Sequence, residues 1–172
     1  SHIKASGRNN WNRSTEILTP LNAARDRGLL ITQDQYKYTA SSTGISAIIP
    51  QKYREGTRTD FRRRIADPET KATIVADLKR HLKERQEPDY GYAVIASWSK
   101  DRRLNGLRLP AAAKLHLGSD SLDSQIELVF KIHASGGASG VYHKMIEDDL
   151  LKFQQNPFTM FASDSSIRKF NF

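Results

Sequence analysis

Three short runs carry the groups that could do chemistry: Ser1-His2-Ile3-Lys4, Asp34-Gln35-Tyr36-Lys37-Tyr38-Thr39-Ala40-Ser41-Ser42, and Phe161-Ala162-Ser163-Asp164-Ser165. Between them they offer an imidazole, ammonium groups, phenols, hydroxyls and carboxylates, which are the side chains that bind metals, move protons and hold anions. None is a motif by itself. His-x-Lys has no defining geometry, Asp-x-Tyr-x-Tyr is common, and Ser-Asp after a strand equally suits a helix cap. What the runs share is position, because each sits where a strand ends or is expected to end. In parallel α/β folds and barrels, sites are built at those carboxyl ends.

The elements that must position them can be read from capping and periodicity. Ser14 to Arg27 reads as a helix closed by Gly28, and Pro20 either kinks it or starts its regular part with Thr19 as cap. Leu29 to Thr32 then reads as a short buried strand with Gln33 to Tyr36 at its carboxyl end. Ala40 to Gly56 is loop-like. Asp67-Pro68-Glu69 is a helix start, followed by Ile74, Val75, Leu78 and Leu82 at helical spacing as far as Pro88. Tyr90 to Trp98 is rich in strand formers, and Lys100 to Gly106 is a basic turn. Asp120-Ser121 precede a helix on Leu122, Ile126, Val129 and Phe130, with His133 at its edge, that stops at Gly136-Gly137. A second helix begins near Glu147 and ends before Asn156-Pro157. The apolar run Phe158 to Ala162 then delivers Ser163 and Asp164.

Composition narrows the classes. The chain has 172 residues, 27 Lys and Arg against 19 Asp and Glu, a net charge of +8 and no cysteine. A single domain of this size buries about two-thirds of its unfolded surface. Its mean hydropathy of -0.61, with no run near the roughly 20 apolar residues of a membrane helix, excludes a helical membrane protein. A chain without cysteine has no disulfide framework, thiolate nucleophile or cysteine zinc finger. The opening Ser1-His2-Ile3-Lys4 has neither an initiator Met nor a secretory pattern, so the chain reads as a segment of a longer protein. Its compartment is not fixed by any cue, and the cytoplasm is the default.

Over nearly its whole length the chain resembles the N-acyl-D-amino-acid deacylases, the D-aminoacylase branch of the metal-dependent amidohydrolases. The resemblance is carried in order by His2-x-Lys4, Gly7-x-x-Asn10-Trp11-x-Arg13-Ser14 and Asp34-x-Tyr36-x-Tyr38-x-Ala40-Ser41-Ser42-Thr43. It continues in Val94-Ile95-Ala96-Ser97, Leu104-x-Gly106, Gly136-Gly137-Ala138-Ser139 and Met160-Phe161-Ala162-Ser163-Asp164-Ser165. Asn12 stands where the family has Gly, and Lys37 where it has Pro.

The resemblance implies an α/β fold: the last strands of a (β/α)8 barrel, with a small α/β domain inserted. Residues 1–50 would carry the region of strands six and seven, 51–117 the inserted domain, and 118–172 a barrel segment ending at strand eight. It further implies that His2 ligates a metal and that Asp164 contacts the same metal and shuttles the proton. Lys4, Tyr36 and Ser42 would hold the substrate, most naturally its carboxylate. The implied cofactor is zinc, and the implied partners are a small N-acyl amino acid and the remainder of the parent barrel. The family's other ligands would lie before Ser1, and an arginine for the carboxylate after Phe172. A catalytic zinc takes about three protein ligands, so the isolated segment is expected to be inactive.

The physics of these assignments is consistent. Imidazole and carboxylate are ordinary zinc ligands, and an ammonium with a phenol can fix a carboxylate through charge-assisted bonds. The remaining histidines, His81, His116, His133 and His143, have no ligand spacing and read as surface or packing residues. No Gly-x-Ser-x-Gly elbow surrounds Ser163 or Ser165, and Gly136 to Gly140 lacks the Gly-Lys-Ser/Thr of a phosphate loop. The competing class is a basic nucleic-acid-binding or oligomerisation module without catalysis. It would use Arg62-Arg63-Arg64, Lys79-Arg80, Lys83, Arg85, Lys100 and Arg102-Arg103, with Tyr90, Tyr92 and Trp98 free to stack on bases. No recognised nucleic-acid-binding motif accompanies that charge.

Overall fold

The computed structural model describes residues 2–164; Ser1 of the first run and Ser165 of the third lie outside the described residues. In chain order the regular elements begin with α1 (Ser14–Asp26), β1 (Gln33–Tyr36), β2 (Ala40–Gly44), α2 (Gln51–Arg54), α3 (Arg58–Ala66) and α4 (Pro68–Glu84). They continue with β3 (Ala93–Ser97), α5 (Leu109–Leu117), α6 (Leu122–Ala134), β4 (Ser139–His143), α7 (Glu147–Gln155) and β5 (Thr159–Ala162). The chain divides into two compact units, Ser1–Thr39 with Lys144–Phe172, and Ala40–His143.

In the first unit β1 and β5 pair in parallel, with Gln33 opposite Thr159 and Tyr36 opposite Ala162. Parallel neighbours are what adjacent barrel strands would be, but the described residues close no barrel. The run that follows His2 lies beside β1, where the Ile3 N–H donates to the Asp34 carbonyl at 2.9 Å. Ile3 and Ala5 pack into a small core with Leu18 and Phe153, so Lys4, one residue out of phase, turns to the other face.

α1 begins at Ser14 and holds Pro20 inside it, where the proline lacks the N–H that would reach the Glu16 carbonyl. The start of this helix has no cap from its own side chains. Asp149, a buried residue of α7, supplies one: it accepts the Asn12 N–H at 2.7 Å and the Ser14 N–H at 3.1 Å. A carboxylate there meets both unpaired donors and the positive end of the helix dipole. Asn12 has φ +64°, a left-handed state that asparagine tolerates better than most residues, which suits the one place where it replaces the family's glycine.

The helix ends in a Schellman motif, with the Gly28 N–H on the Arg25 carbonyl at 2.7 Å and the Leu29 N–H on the Ala24 carbonyl at 3.2 Å. This corrects the expected strand at Leu29 to Thr32. Leu29 and Leu30 are 55% and 103% exposed, because the cap consumes the Leu29 N–H and the pairing partner β5 reaches only Gln33 to Tyr36.

The second unit is built on an antiparallel sheet with β4 between β2 and β3. Its core joins Ile45 and Ile49, Phe61 of α3, Ile74 and Leu78 of α4, Ile95 of β3, and Ile126, Val129 and Phe130 of α6. This unit is wider than the 51–117 segment, since β3 pairs with β4, which follows that segment, and β4 pairs with β2, which precedes it. Residues 40–44, expected as loop, form β2, and the turn expected at Gly136 to Gly140 gives way to β4 from Ser139. A Cβ at Gly140 would stand 2.6 Å from Ile45 Cδ1 and 3.2 Å from the Thr43 carbonyl, so a side chain there would force Ile45 to move. α4 starts as its sequence predicts, with Asp67 accepting the Thr70 N–H and Pro68 in the first turn.

Two outcomes follow from these contacts. Asp149→Ala strips two backbone donors of a charged acceptor, and is expected to lower stability by about 2–3 kcal/mol in urea unfolding. The carboxyls of Asp60, Asp67, Asp77 and Asp101 are all held below the usual range by hydrogen bonds, Asp77 chiefly by Lys52 and Tyr53. A depressed folded pKa means that the unfolded chain takes up protons first on acidification, so this stability is complete above about pH 4 and is lost as pH falls through the folded values. The urea midpoint should fall from about pH 5 to pH 2, and less steeply in Asp77→Asn; equal slopes would refute the assignment.

Candidate metal and substrate site

Period-two alternation assembles the site. His2 and Lys4 both meet Tyr36, and Asp34 and Tyr36 share one face of β1. The Lys4 ammonium donates to the Tyr36 hydroxyl at 2.9 Å and lies 4.8 Å from the ring centroid. The His2 and Tyr36 rings are 4.9 Å apart and tilted. The His2 backbone N–H donates to Asp34 Oδ1 at 2.7 Å, and this bond holds the Asp34 carboxyl below its ordinary pKa. The two nitrogens of the His2 ring face different carboxylates, Nδ1 standing 3.4 Å from Asp34 Oδ2 and Nε2 standing 3.3 Å from Asp164 Oδ1.

His2 and Asp164 both have left-handed backbones, with φ 57° and 50°. Such a conformation costs a non-glycine residue roughly 1–3 kcal/mol and survives only where neighbours fix it. Here the strain falls on the two residues assigned to the metal. Their donor atoms also fit one. Two ligands at zinc distance in a tetrahedral arrangement lie about 3.4 Å apart, and Nε2 and Oδ1 are 3.3 Å apart. Among the described residues no group of three or more His, Cys, Asp or Glu could hold a metal ion.

Four of the five residues singled out in the sequence, His2, Lys4, Tyr36 and Asp164, therefore come together in the first unit. Ser42 belongs to the second unit, on β2, where its hydroxyl donates to the Gly140 carbonyl at 3.4 Å. Sequence reasoning missed Asp34 as a member of the site. The signal was its spacing of two from Tyr36, which puts both on one face once β1 is known to include residue 34. Lys37 reaches over the Tyr38 ring, 5.9 Å from its centroid, and Tyr36 is buried without the proline.

His116, His133 and several arginines make local contacts. His116 Nδ1 lies 3.1 Å from Asp101. His133 meets the Ser46 hydroxyl at 2.9 Å and the edge of Phe61, and burial, with Arg54 and Arg58 nearby, lowers its pKa. Arg62 donates to the Ala134 carbonyl and Arg58 to that of Gly136, both at the end of α6. Arg64 donates to the carbonyls of Tyr53 and Glu55. Tyr90, Tyr92 and Trp98 are only 2%, 8% and 4% exposed, so these three cannot stack on bases, and the basic-module reading loses its aromatic half.

Fold and site together define an α/β protein with charged side chains gathered beside a parallel strand pair and an antiparallel unit inserted between those strands. No family model and no curated protein matches the sequence. Among solved structures the fold is similar to that of an N-acyl-D-glutamate deacylase from Bordetella bronchiseptica, crystallised with zinc and a phosphonate mimic of the reaction's tetrahedral intermediate. That likeness has a TM-score of 0.56 at 21% identity and covers 95% of this chain and 25% of the other. It is similar also to a D-aminoacylase described as defining a novel subset of amidohydrolases, with TM-score 0.54, 21% identity, and 93% and 24% of the two chains covered. A D-aminoacylase studied for its binuclear metal centre gives TM-score 0.53 at 22% identity, with 93% and 24% covered. The likeness is one of fold, and this chain spans about a quarter of each neighbour's length.

Tyr36→Phe removes the acceptor of the Lys4 ammonium and nothing else. It is expected to lower stability by about 1 kcal/mol in urea unfolding with an unchanged circular dichroism spectrum, whereas an unchanged midpoint would mean that the bond contributes nothing.

Proposed function

We propose that this chain is part of a metal-dependent amidohydrolase that cleaves the acyl amide bond of N-acyl-D-amino acids, giving a carboxylate and a free D-amino acid. The observation that carries the reading is the His2–Asp164 pair, two zinc-type donors 3.3 Å apart on strained backbones, with the Lys4–Tyr36 pair beside it. The fold neighbours support it, since one was crystallised with zinc and a tetrahedral-intermediate mimic.

On this reading residues 1–50 hold barrel strands six and seven, with β1 as the seventh, and 118–172 end at β5 as the eighth, around an inserted domain that includes 51–117. The rest of the barrel is a partner of the first unit, and the far edge of β5, which pairs with no strand among the described residues, and the exposure of Met160 and Phe161, 56% and 72%, support that. Among the described residues no helix is long and apolar enough to cross a membrane.

His2 and Asp164 would hold the metal. When bound, zinc supplies a water acidified to a pKa of about 7 and polarises the acyl carbonyl. The Asp164 carboxylate accepts the proton of the attacking water and returns it to the departing amine. The Lys4 ammonium and Tyr36 hydroxyl orient the substrate through its free carboxylate, and Ser42 is assigned to the same substrate on the sequence pattern alone. With two ligands of about three, the isolated 172-residue chain is expected to show no turnover.

The test is release of free amine from N-acetyl-D- and N-acetyl-L-amino acids by the full-length protein carrying this chain, with and without zinc. Zinc-dependent turnover of D-substrates, reduced at least about 100-fold by Asp164→Asn, is expected. Well-folded, zinc-loaded protein that leaves every N-acyl-D-amino acid intact would sink the reading.

A further inference from the structure

Ser46 and His133 form a polar pair in the second unit that the metal and substrate site does not use. Ser46 belongs to the short 3-10 turn Ile45–Ile48. That turn is fixed at both ends, by the Ile45 N–H on the Ala138 carbonyl at 2.9 Å and the Ile49 N–H on the Ser46 carbonyl at 3.0 Å, and Ile45 and Ile49 are fully buried. His133 stands in the last turn of α6, where its ring meets that of Phe61 edge-on with centroids 4.5 Å apart. The Ser46 hydroxyl and His133 Nδ1 are 2.9 Å apart, held there by elements that are themselves packed.

Burial, with Arg54 of α2 and Arg58 of α3 nearby, keeps His133 below its ordinary pKa. The ring is therefore uncharged at neutral pH and has one bare nitrogen. Its two neutral forms exchange through water, and the form protonated on Nε2 leaves Nδ1 to accept the Ser46 proton. Ser46 also lines a depression of about 450 Å³, together with Ser97, Ser99, Gly136, Gly137 and Ser139. A Cβ at Gly137 would stand 3.7 Å from the Ser46 hydroxyl oxygen, so glycine leaves that oxygen uncovered on one side. A hydroxyl in hydrogen-bond reach of a neutral imidazole, at a cleft with room for a small molecule, has the parts of an activated nucleophile.

We propose that Ser46 and His133 are a second reactive centre, in which Ser46 Oγ takes up the acyl group of a small activated ester and His133 acts as general base. Oγ forms a bond to the acyl carbon and the bond from that carbon to the leaving oxygen breaks. The Ser46 proton passes to His133 Nδ1 and then to the leaving oxygen. Water, deprotonated by the same imidazole, releases the acid and restores Ser46. The centre lies wholly within the second unit and does not depend on the metal reading of the first.

The experiment treats the full-length protein carrying this chain with a fluorophosphonate, a mimic of the ester in which Oγ bonds to phosphorus and fluoride leaves, and locates the modified peptide by mass spectrometry. Modification at Ser46 is expected, absent in Ser46→Ala and slowed at least about 100-fold in His133→Gln. In the wild type the rate at Ser46 should fall about tenfold per pH unit below a midpoint under 6.5, as His133 takes up its proton. Wild-type protein left unmodified at Ser46, or modification as fast in folded His133→Gln, overturns the proposal. A rate at Ser46 that stays flat from about pH 5 to pH 8 overturns it even where that variant does not fold.

Discussion

Gln33 faces Thr159 across the parallel ladder, and Tyr36 faces Ala162; this register decides which side chains meet on the charged face of the first unit. Asp164 follows β5 by two residues, so its approach to His2 is inherited from where Ala162 sits beside Tyr36. A slip of one residue would reverse the inward and outward sets along the strand. Nothing within the four-residue strands enforces the register by hydrophobic pattern alone, since Thr159–Ala162 shows little burial on either face. It is held from the ends. The Gln33 N–H donates to the Phe158 carbonyl at 3.0 Å, and the Gln33 side chain reaches the Thr159 hydroxyl at 2.8 Å.

The same economy runs through the rest of that unit. Among the described residues its buried apolar cluster is small, Ala5, Leu18 and Phe153 with Ile3, Ile17 and Leu21 packed against it, and long-range polar bonds carry much of the specificity. Gly7 N–H and Trp11 Nε1–H both donate to the Lys144 carbonyl, and Asp149 holds the entry to α1. The second unit is organised in the opposite way, around a continuous apolar core in which Tyr90, Tyr92 and Tyr142 are buried deeply enough for their phenol pKa values to rise, Tyr92 to about 12. Two balances of forces thus coexist in one chain, and three of the four left-handed non-glycine residues, His2, Asn12 and Asp164, sit in the unit with the smaller core, with Gln86 in the other.

What the sequence discloses follows from which forces are local. Asp67-Pro68 sets the start of α4 through a cap, α6 declares itself by its Ser121 cap and periodicity, and α7 by its acidic first turn and the Asn156-Pro157 stop, so these could be read directly. β2, written Ala40-Ser41-Ser42-Thr43-Gly44, and β4, opening Ser139-Gly140, have weak strand propensity and exist because they pair with each other in register. That information is not local. Leu29-Leu30 misled for the converse reason, as an apolar pair with strand character but no strand to join. At the site, the residue types pointed to His2, Lys4, Tyr36 and Asp164 only when taken together with a family resemblance, and the ladder then brought those four into reach. Asp34 could not be separated from an ordinary polar strand residue until the alternation of β1 was known.

Gly140 lies where β4 passes the Ile45 side chain, with no space for a Cβ. Most of the constraint belongs to the pair, because a shorter side chain at position 45 would open volume that a methyl group at 140 needs, while the Thr43 carbonyl at 3.2 Å stays close. Either change alone leaves a clash or a void, while both together restore close packing. The two positions therefore drift as one unit of inheritance: a lineage can leave the Gly140–Ile45 combination only through an intermediate that folds less well, and each substitution is tolerated or rejected according to what the other has already become.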